Sequence, residues 1–401
     1  MVTSAVLVVY DGRARSFEAG FRYLLFHVLA GVSLLFAVII QYVVSGHMGF
    51  AAPVPAALPF FILACGIKAT MLPFYMWVPD AYSNAMPASA VVLSAFTTKV
   101  GVYAVARILA GTIPIAYMGG AMAVFGVIMA LAQKNLRRLL SFHMVSQVGY
   151  MIAGVALGTA LGTDGGSLHL FNNVMYKTLL FMVAGAVWYR TGSENAKNLG
   201  GLARVMPITY VCGIVGALSI AGMPPFNGFV SKTMVDYAAS DHQVLQVLLL
   251  VAAVGTAMSF AKFIWYTFLG DDRTRWPNVR EVPFNLQIPM IYLAFMCLFS
   301  GIAYGPFASM LPSSTLMTVY EPLKMLKSLG VVVGSVGLFF LIRSLIDAFG
   351  RWAAVEPERF ISSAVEHVVD ASNSLVHLRE GEDIQLLVVA FAALGMIMLF
   401  W

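Results

Sequence analysis

Charge is what this 401-residue chain has least of: only 11% of its residues are Asp, Glu, Lys or Arg, against about 25% in an ordinary soluble domain. Its three cysteines, Cys65, Cys212 and Cys297, lie far apart in apolar runs. That spacing excludes an iron–sulfur motif and a disulfide framework and leaves them as buried thiols. No glycine-rich nucleotide loop opens a helix, and no pair of haem ligands or Ser/His/Asp set occurs. Redox and hydrolytic chemistry therefore find no support, and no cofactor or metal is expected in this chain. Low-complexity segments and soluble linkers are missing too. The first residues lack the basic start, long apolar centre and cleavage site of a signal peptide.

What is there is hydrocarbon. The chain is 60% hydrophobic with a mean hydropathy of +0.84, and stretches of about 20 residues, long enough to cross a bilayer as helices, recur throughout. They fall near 21–44, 55–78, 86–110, 114–132, 139–160, 167–189, 205–239 (broken), 244–269, 286–305, 328–349 and 384–401. This predicts an all-α polytopic membrane protein of about 11 transmembrane helices. The net charge of +5 is no nucleic-acid signature, because the basic residues sit at span ends. Arg13, Arg15 and Arg22, then Lys134, Arg137 and Arg138, then Arg190, Lys197 and Arg204, then Arg273, Arg275 and Arg280, and finally Arg351 and Arg359 all fall on one side. The opposite loops carry little besides Lys324 and Lys327. The positive-inside rule puts the N-terminus of this chain in the cytoplasm, with the protein in the cell (inner) membrane.

Three segments are distinguished. Residues 1–10 read as the last turns of a helix whose beginning lies outside the sequence, and 11–305 form the main membrane domain. In 306–401, the stretch at about 352–380 is too charged to span. Phe360, Ala364, His367, Val368 and Leu375 follow helical spacing there, as in an amphipathic helix at the interface. It is either a tether to the last span or a lateral brace against a neighbouring subunit.

Against this background four lysines stand inside apolar runs: Lys68, Lys99, Lys177 and Lys232. A lysine at mid-membrane costs a few kcal/mol and persists where it serves a polar path or finds a partner. Two stand beside helix breakers. Lys68 precedes Pro73, with Pro79 and Pro87 further on, and Lys232 follows Pro224, Pro225 and Gly228. Irregular backbone at membrane depth is tolerated only where protein or a water-lined cavity satisfies it, so two helices interrupted near mid-membrane are expected. Such a pair in the two halves of a chain points to inverted repeats around an ion site. Between the breaks lie Lys99, His143, His169 and Lys177. Amines in low dielectric hold their protons less tightly and histidine titrates near neutrality, so water between these groups would complete a proton wire. Taken singly, each histidine also fits an ordinary hydrogen-bonded core residue. Acids are scarce: Glu194 falls in a loop, and Asp80 and Asp236 lie near span ends.

Three segments resemble the antiporter-like subunits of proton-pumping NADH:quinone oxidoreductase (complex I). The large subunits of multisubunit cation/proton antiporters and the membrane subunits of energy-converting hydrogenases belong to the same family. They are Lys68-Ala-Thr-Met-Leu-Pro-Phe-Tyr-Met-Trp-Val-Pro-Asp-Ala81, Lys134-Asn-Leu-Arg-Arg-Leu-Leu-Ser-Phe-His-Met-Val-Ser-Gln-Val-Gly-Tyr150 and Gly222-Met-Pro-Pro-Phe-Asn-Gly-Phe-Val-Ser-Lys232. With His169 to Lys177 and Gly200 to Pro207 between the last two, the likeness covers about 1–270 in order. The resemblance implies an antiporter-like fold over 11–305 and H⁺ as the transported ion, with Na⁺ as the alternative. It also implies partnership with other membrane subunits in the lipid bilayer. Lys68 would be the central proton-accepting lysine, Lys99 its neighbour, His143, His169 and Lys177 the relay, and Lys232 the terminal exchange residue. In the family a glutamate on the preceding helix modulates the lysine at the Lys68 position. Here that helix would survive only as residues 1–10, so the sequence looks N-terminally truncated. Three readings follow: a redox-coupled proton-translocating subunit, a subunit of a Na⁺/H⁺ antiporter, or a scaffold with an incomplete channel.

Overall fold

The structure, a computed structural model, describes residues 2–46, 52–270, 276, 278–314 and 317–352. Among the described residues there is no strand, only an isolated bridge between Asn135 and Asn195. Helix is what a chain in lipid must form, since it satisfies each backbone N–H and C=O within its own segment. The helices are α1 (Val2–Val9), α2 (Ala14–Ser45), α3 (Leu58–Lys68), α4 (Trp77–Asn84), α5 (Pro87–Ile108), α6 (Ile113–Ala132) and α7 (Leu136–Ala156). There follow α8 (Ala160–Thr191), α9 (Pro207–Ala221), α10 (Asn227–Ala238), α11 (Gln243–Ile264), α12 (Phe284–Ile302), α13 (Tyr304–Ala308) and α14 (Pro322–Trp352). Eight of them, α2, α5, α6, α7, α8, α11, α12 and α14, are long and apolar enough to cross a membrane.

The remaining crossings are interrupted. Predicted span 55–78 is α3, a break at residues 69–73, a short 3-10 turn at Phe74–Met76, and α4. Predicted span 205–239 is α9, a break at 222–226, and α10. Of the prolines expected to disrupt the first of these, only Pro73 lies in the break. Pro79 falls in the first turn of α4 and Pro87 opens α5, where the missing N–H would have had no helical partner anyway. The last predicted span, 384–401, and the interfacial helix expected at about 352–380 lie outside the described residues, apart from Trp352 at the end of α14.

α7 and α8 form the centre. α7 is buried along almost its whole length, and α8 packs on α5, α7, α9, α10 and α12. α6 meets α7 backbone to backbone: a Cβ on Gly149 would lie 2.5 Å from the Gly119 carbonyl oxygen. Small residues let membrane helices approach this closely. Outside this core, α2, α5, α12 and α14 turn Leu35, Phe96, Tyr292 and Leu341 outward, an apolar surface suited to lipid. The all-α architecture with two interrupted helices thus matches the expectation, and eight uninterrupted spans are seen among the described residues where about 11 crossings are expected.

Candidate polar path between the helix breaks

Each break ends a helix and leaves carbonyl groups without helical partners. Lys68 is the last residue of α3. Lys232 lies in the second turn of α10, but its Nζ reaches back and donates to the carbonyl of Ile220 in α9 at 2.7 Å. Lys68 as a residue and Lys232 through its ammonium group thus each mark the C-terminal end of a first half-helix, the negative end of its dipole. This geometry explains why one lysine precedes its proline and the other follows. Tyr150 presents its ring to Lys232 Nζ, with the centroid at 4.8 Å.

Around the first break a cluster forms that sequence reasoning missed. Tyr23 and His27 of α2 stack at 3.9 Å, and the Trp77 ring meets the His27 ring edge-on at 4.7 Å. Lys68 Nζ lies 6.0 Å from the centre of the Tyr23 ring, and its charge acts on His27. Trp77 Nε1 donates to the Ile67 carbonyl at 2.9 Å, fixing the end of α3. Asp80, one turn into α4, pairs instead with Arg22 at 2.6 Å. Among the described residues no carboxylate is ion-paired with Lys68. α5 closes on this break so tightly that a Cβ on Gly101 would lie 2.5 Å from the Ala69 nitrogen.

Lys99, two residues earlier on α5, is buried and donates to the Ser94 carbonyl at 2.5 Å, with Met144 Sδ of α7 at 3.2 Å. Lys177 is fully buried on α8 and donates to the Leu140 carbonyl of α7 at 2.8 Å. The charges of Lys99 and Lys232 act on both His169 and Lys177, and those of Lys177 and Lys232 act on His143. Five of the six expected path residues therefore form one electrostatically linked set. Lys68 belongs to the neighbouring cluster, joined to the set through α5.

The histidines are placed by hydrogen bonds. His143 Nε2 meets Ser259 Oγ of α11. The Ser259 hydroxyl proton goes to the Thr256 carbonyl at 2.9 Å, so the ring nitrogen is the donor, and Nδ1 is a buried acceptor without a protein partner. His169 joins two helices: Nε2 donates to Gln147 Oε1 of α7 at 3.2 Å, and Nδ1 accepts from Ser231 of α10 at 2.9 Å. Asn172 donates to Ser231 Oγ at 3.1 Å and to the Asn227 carbonyl at 2.8 Å, and Tyr176 donates to Gln147 Oε1 at 3.2 Å. Ser146 Oγ, Gln147 Nε2, Asn172 Oδ1, Asn173 Oδ1 and Thr178 Oγ1 are buried with no protein partner. Buried polar groups of this kind hold water in native interiors. Gln147, Ser231, Asn172, Asn173 and Tyr176 were not singled out in the sequence. Of these only Asn173 carried a signal: His169, Asn173 and Lys177 recur every four residues along one face of α8.

At the end of the molecule where the basic loops gather, the buried Arg137 pairs with Glu194 at 2.6 Å and also donates to the Ala85 carbonyl. Lys262, equally buried, caps the end of α6 by donating to the Leu131 and Gln133 carbonyls at 2.6 and 2.8 Å. Among the described residues no group of His, Cys, Asp and Glu is arranged to hold a metal ion.

Residues 1–259 match the family model described as NADH:quinone oxidoreductase/Mrp antiporter, transmembrane. The chain is 31% identical over 333 residues to NADH-quinone oxidoreductase subunit N of Desulforudis audaxviator, covering 74% of this chain and 66% of the relative. It is 31% identical over 275 residues to formate hydrogenlyase subunit 3 of Escherichia coli, covering 60% of this chain and 45% of the relative. The chain thus spans between about half and two thirds of the length of these curated relatives. Among solved structures, a chain of the Mrp complex from Dietzia sp. DQ12-45-1b superposes with a TM-score of 0.71 at 27% identity, covering 82% of this chain and 73% of that one.

Proposed function

The chain belongs to the NADH:quinone oxidoreductase/Mrp antiporter transmembrane family, and we propose on that premise that it is the proton-conducting membrane subunit of a multisubunit complex. The path would run from Lys68 through Lys99, His143, Lys177 and His169 to Lys232, with water bound by the unpartnered polar groups of α7 and α8 bridging successive positions. Electron transfer would take place in other subunits and drive the path by changing the charge felt at Lys68. The proposal includes the orientation read from the basic loops, with the Arg137–Glu194 end cytoplasmic and the protein in the cell's inner membrane.

The observation that carries this reading is the hydrogen-bonded junction Gln147–His169–Ser231, whose last member neighbours Lys232. Its direction is defined, since Ser231 donates to His169 and His169 donates to Gln147. In this tautomer the ring has no proton to give on the Ser231 side; with its proton on Nδ1 instead, it would accept one at Nε2 from the Gln147 side and release the other from Nδ1 toward Ser231, which returns it to the tautomer seen here. A purely structural core has no need of buried lysines within electrostatic reach of such a ring. Each such charge is costly in lipid-depth protein and is kept where it is used.

The test is replacement of Lys68 in the intact assembly, reconstituted in vesicles. Lys68→Ala is expected to reduce protons moved per turnover to background. Lys68→Arg is expected to fail equally, because a guanidinium keeps the charge but does not release its proton. Unchanged proton transfer in both variants would end the proposal. The antiporter half of the family description favours, as a second reading, exchange against Na⁺ without electron transfer. A requirement for Na⁺ in the same vesicles, with no redox substrate present, would select it.

A further inference from the structure

Beside Lys232, away from the relay, lies a cavity of about 90 Å³, room for about three waters at roughly 30 Å³ each. Its wall includes Lys232, Asp236, Tyr150, Lys324 and Lys327. Asp236 stands four residues after Lys232 on α10, so the two share a face of that helix one turn apart. Its carboxylate is ion-paired with Lys327 of α14, Oδ2 to Nζ at 2.7 Å. The Lys327 side chain is 58% exposed and that of Asp236 26%, so the pair stands at the mouth of the cavity, whereas Lys232 at its floor is buried. Lys324 is held in place: its Nζ donates to the Thr318 carbonyl at 2.7 Å and to Glu321 at 2.9 Å, and lies 4.5 Å from the centre of the Tyr237 ring.

We propose that Asp236 is the proton acceptor that discharges Lys232, and that the Asp236–Lys327 ion pair is the gate between this cavity and the water outside. The inference rests on the proton-conducting reading given above. In one cycle a proton passes from Lys232 Nζ through cavity water to the Asp236 carboxylate, which becomes neutral, and the ion pair to Lys327 is broken. The proton then leaves to bulk water, and the restored carboxylate recaptures Lys327. Lys232 is left neutral and refills from the His169–Ser231 side. An ion pair this exposed is weak, which suits a gate that must open in every cycle.

The experiment uses the intact assembly in vesicles, with a pH-sensitive dye inside and three variants in parallel. Asp236→Asn is expected to slow coupled proton transfer at least tenfold, with Asp236→Glu restoring most of it. Lys327→Gln is expected to raise passive proton leak severalfold when turnover is stopped. Lys232→Ala is expected to abolish transfer. Normal transfer in Asp236→Asn together with an unchanged leak in Lys327→Gln would overturn the outlet while Lys232→Ala still supported the path. Normal transfer in Lys232→Ala would overturn the path and the outlet with it. If Asp236→Asn fails to assemble, the leak of Lys327→Gln, a substitution at an exposed side chain, decides alone.

Discussion

Lys177→Leu is expected to lower proton transfer by about 100-fold while the subunit remains in its complex. Lys177 has no exposed surface and its ammonium makes one hydrogen bond, to the Leu140 carbonyl. Leucine fills most of the same volume, so packing between α7 and α8 survives. What disappears is the only aliphatic amine on α8, which lies within electrostatic reach of Lys99, His143 and Lys232. A proton would then have to cross that stretch on water between apolar walls. Placing a charge at membrane depth without a partner costs about 3 kcal/mol, and each 1.36 kcal/mol added to a barrier is a factor of ten in rate. Dye-detected proton uptake per turnover measures the effect, and a native-gel band at the parental position verifies assembly. Uptake within twofold of the parent would show that Lys177 serves packing alone.

The second large effect is structural and centres on Gly228. A Cβ built there would lie 1.8 Å from the Ser219 carbonyl oxygen, a distance no packing adjustment absorbs without separating α10 from the end of α9. That separation would also pull Lys232 from the Ile220 carbonyl, since both contacts bridge the same two half-helices. Overpacking a tight site costs about 1–3 kcal/mol and more where backbone must move. Gly228→Ala is therefore expected to lower the yield of assembled subunit severalfold and to depress its thermal inactivation temperature. Gly330→Ala on α14, where nothing lies within 4 Å of the new atom, serves as control and is expected to behave as the parent. Equal yields for the two variants would refute the close-approach argument.

Much of this architecture was legible in the chain before any coordinates. Hydrocarbon runs of spanning length, separated by basic clusters, specify helices across a bilayer because no other open structure satisfies the backbone there. The breaks were legible at Pro73 and at Pro224-Pro225, since proline cannot complete a helical ladder. Pro79 and Pro87 carried the same letter without the same effect, because each falls in a first turn where no ladder bond is lost. The lysines stood out as energetic exceptions. His27 did not, although it shares a cluster with Lys68, because a lone histidine in an apolar run has many bland explanations. Gln147, Ser231 and Asn172 stayed hidden for a related reason. A neutral polar residue in a membrane helix is cheap enough to be common, and only its partners give it meaning.

By itself, then, the sequence determined that the chain lives in lipid, that two of its helices are interrupted, and that six titratable side chains lie between and beside the interruptions. These follow from solvation and backbone geometry, which act residue by residue. The tertiary structure alone decided that Lys232, on the far side of its prolines, reaches back to the C-terminal end of α9, as Lys68 closes the C-terminal end of α3. It also decided that His169 spans from Gln147 to Ser231, and that Asp236 and Lys327 meet over a cavity beside Lys232. Each of these depends on which faces of separate helices are pressed together. That choice is made by the packing of small residues and buried carbonyls across the whole bundle, not by any one segment.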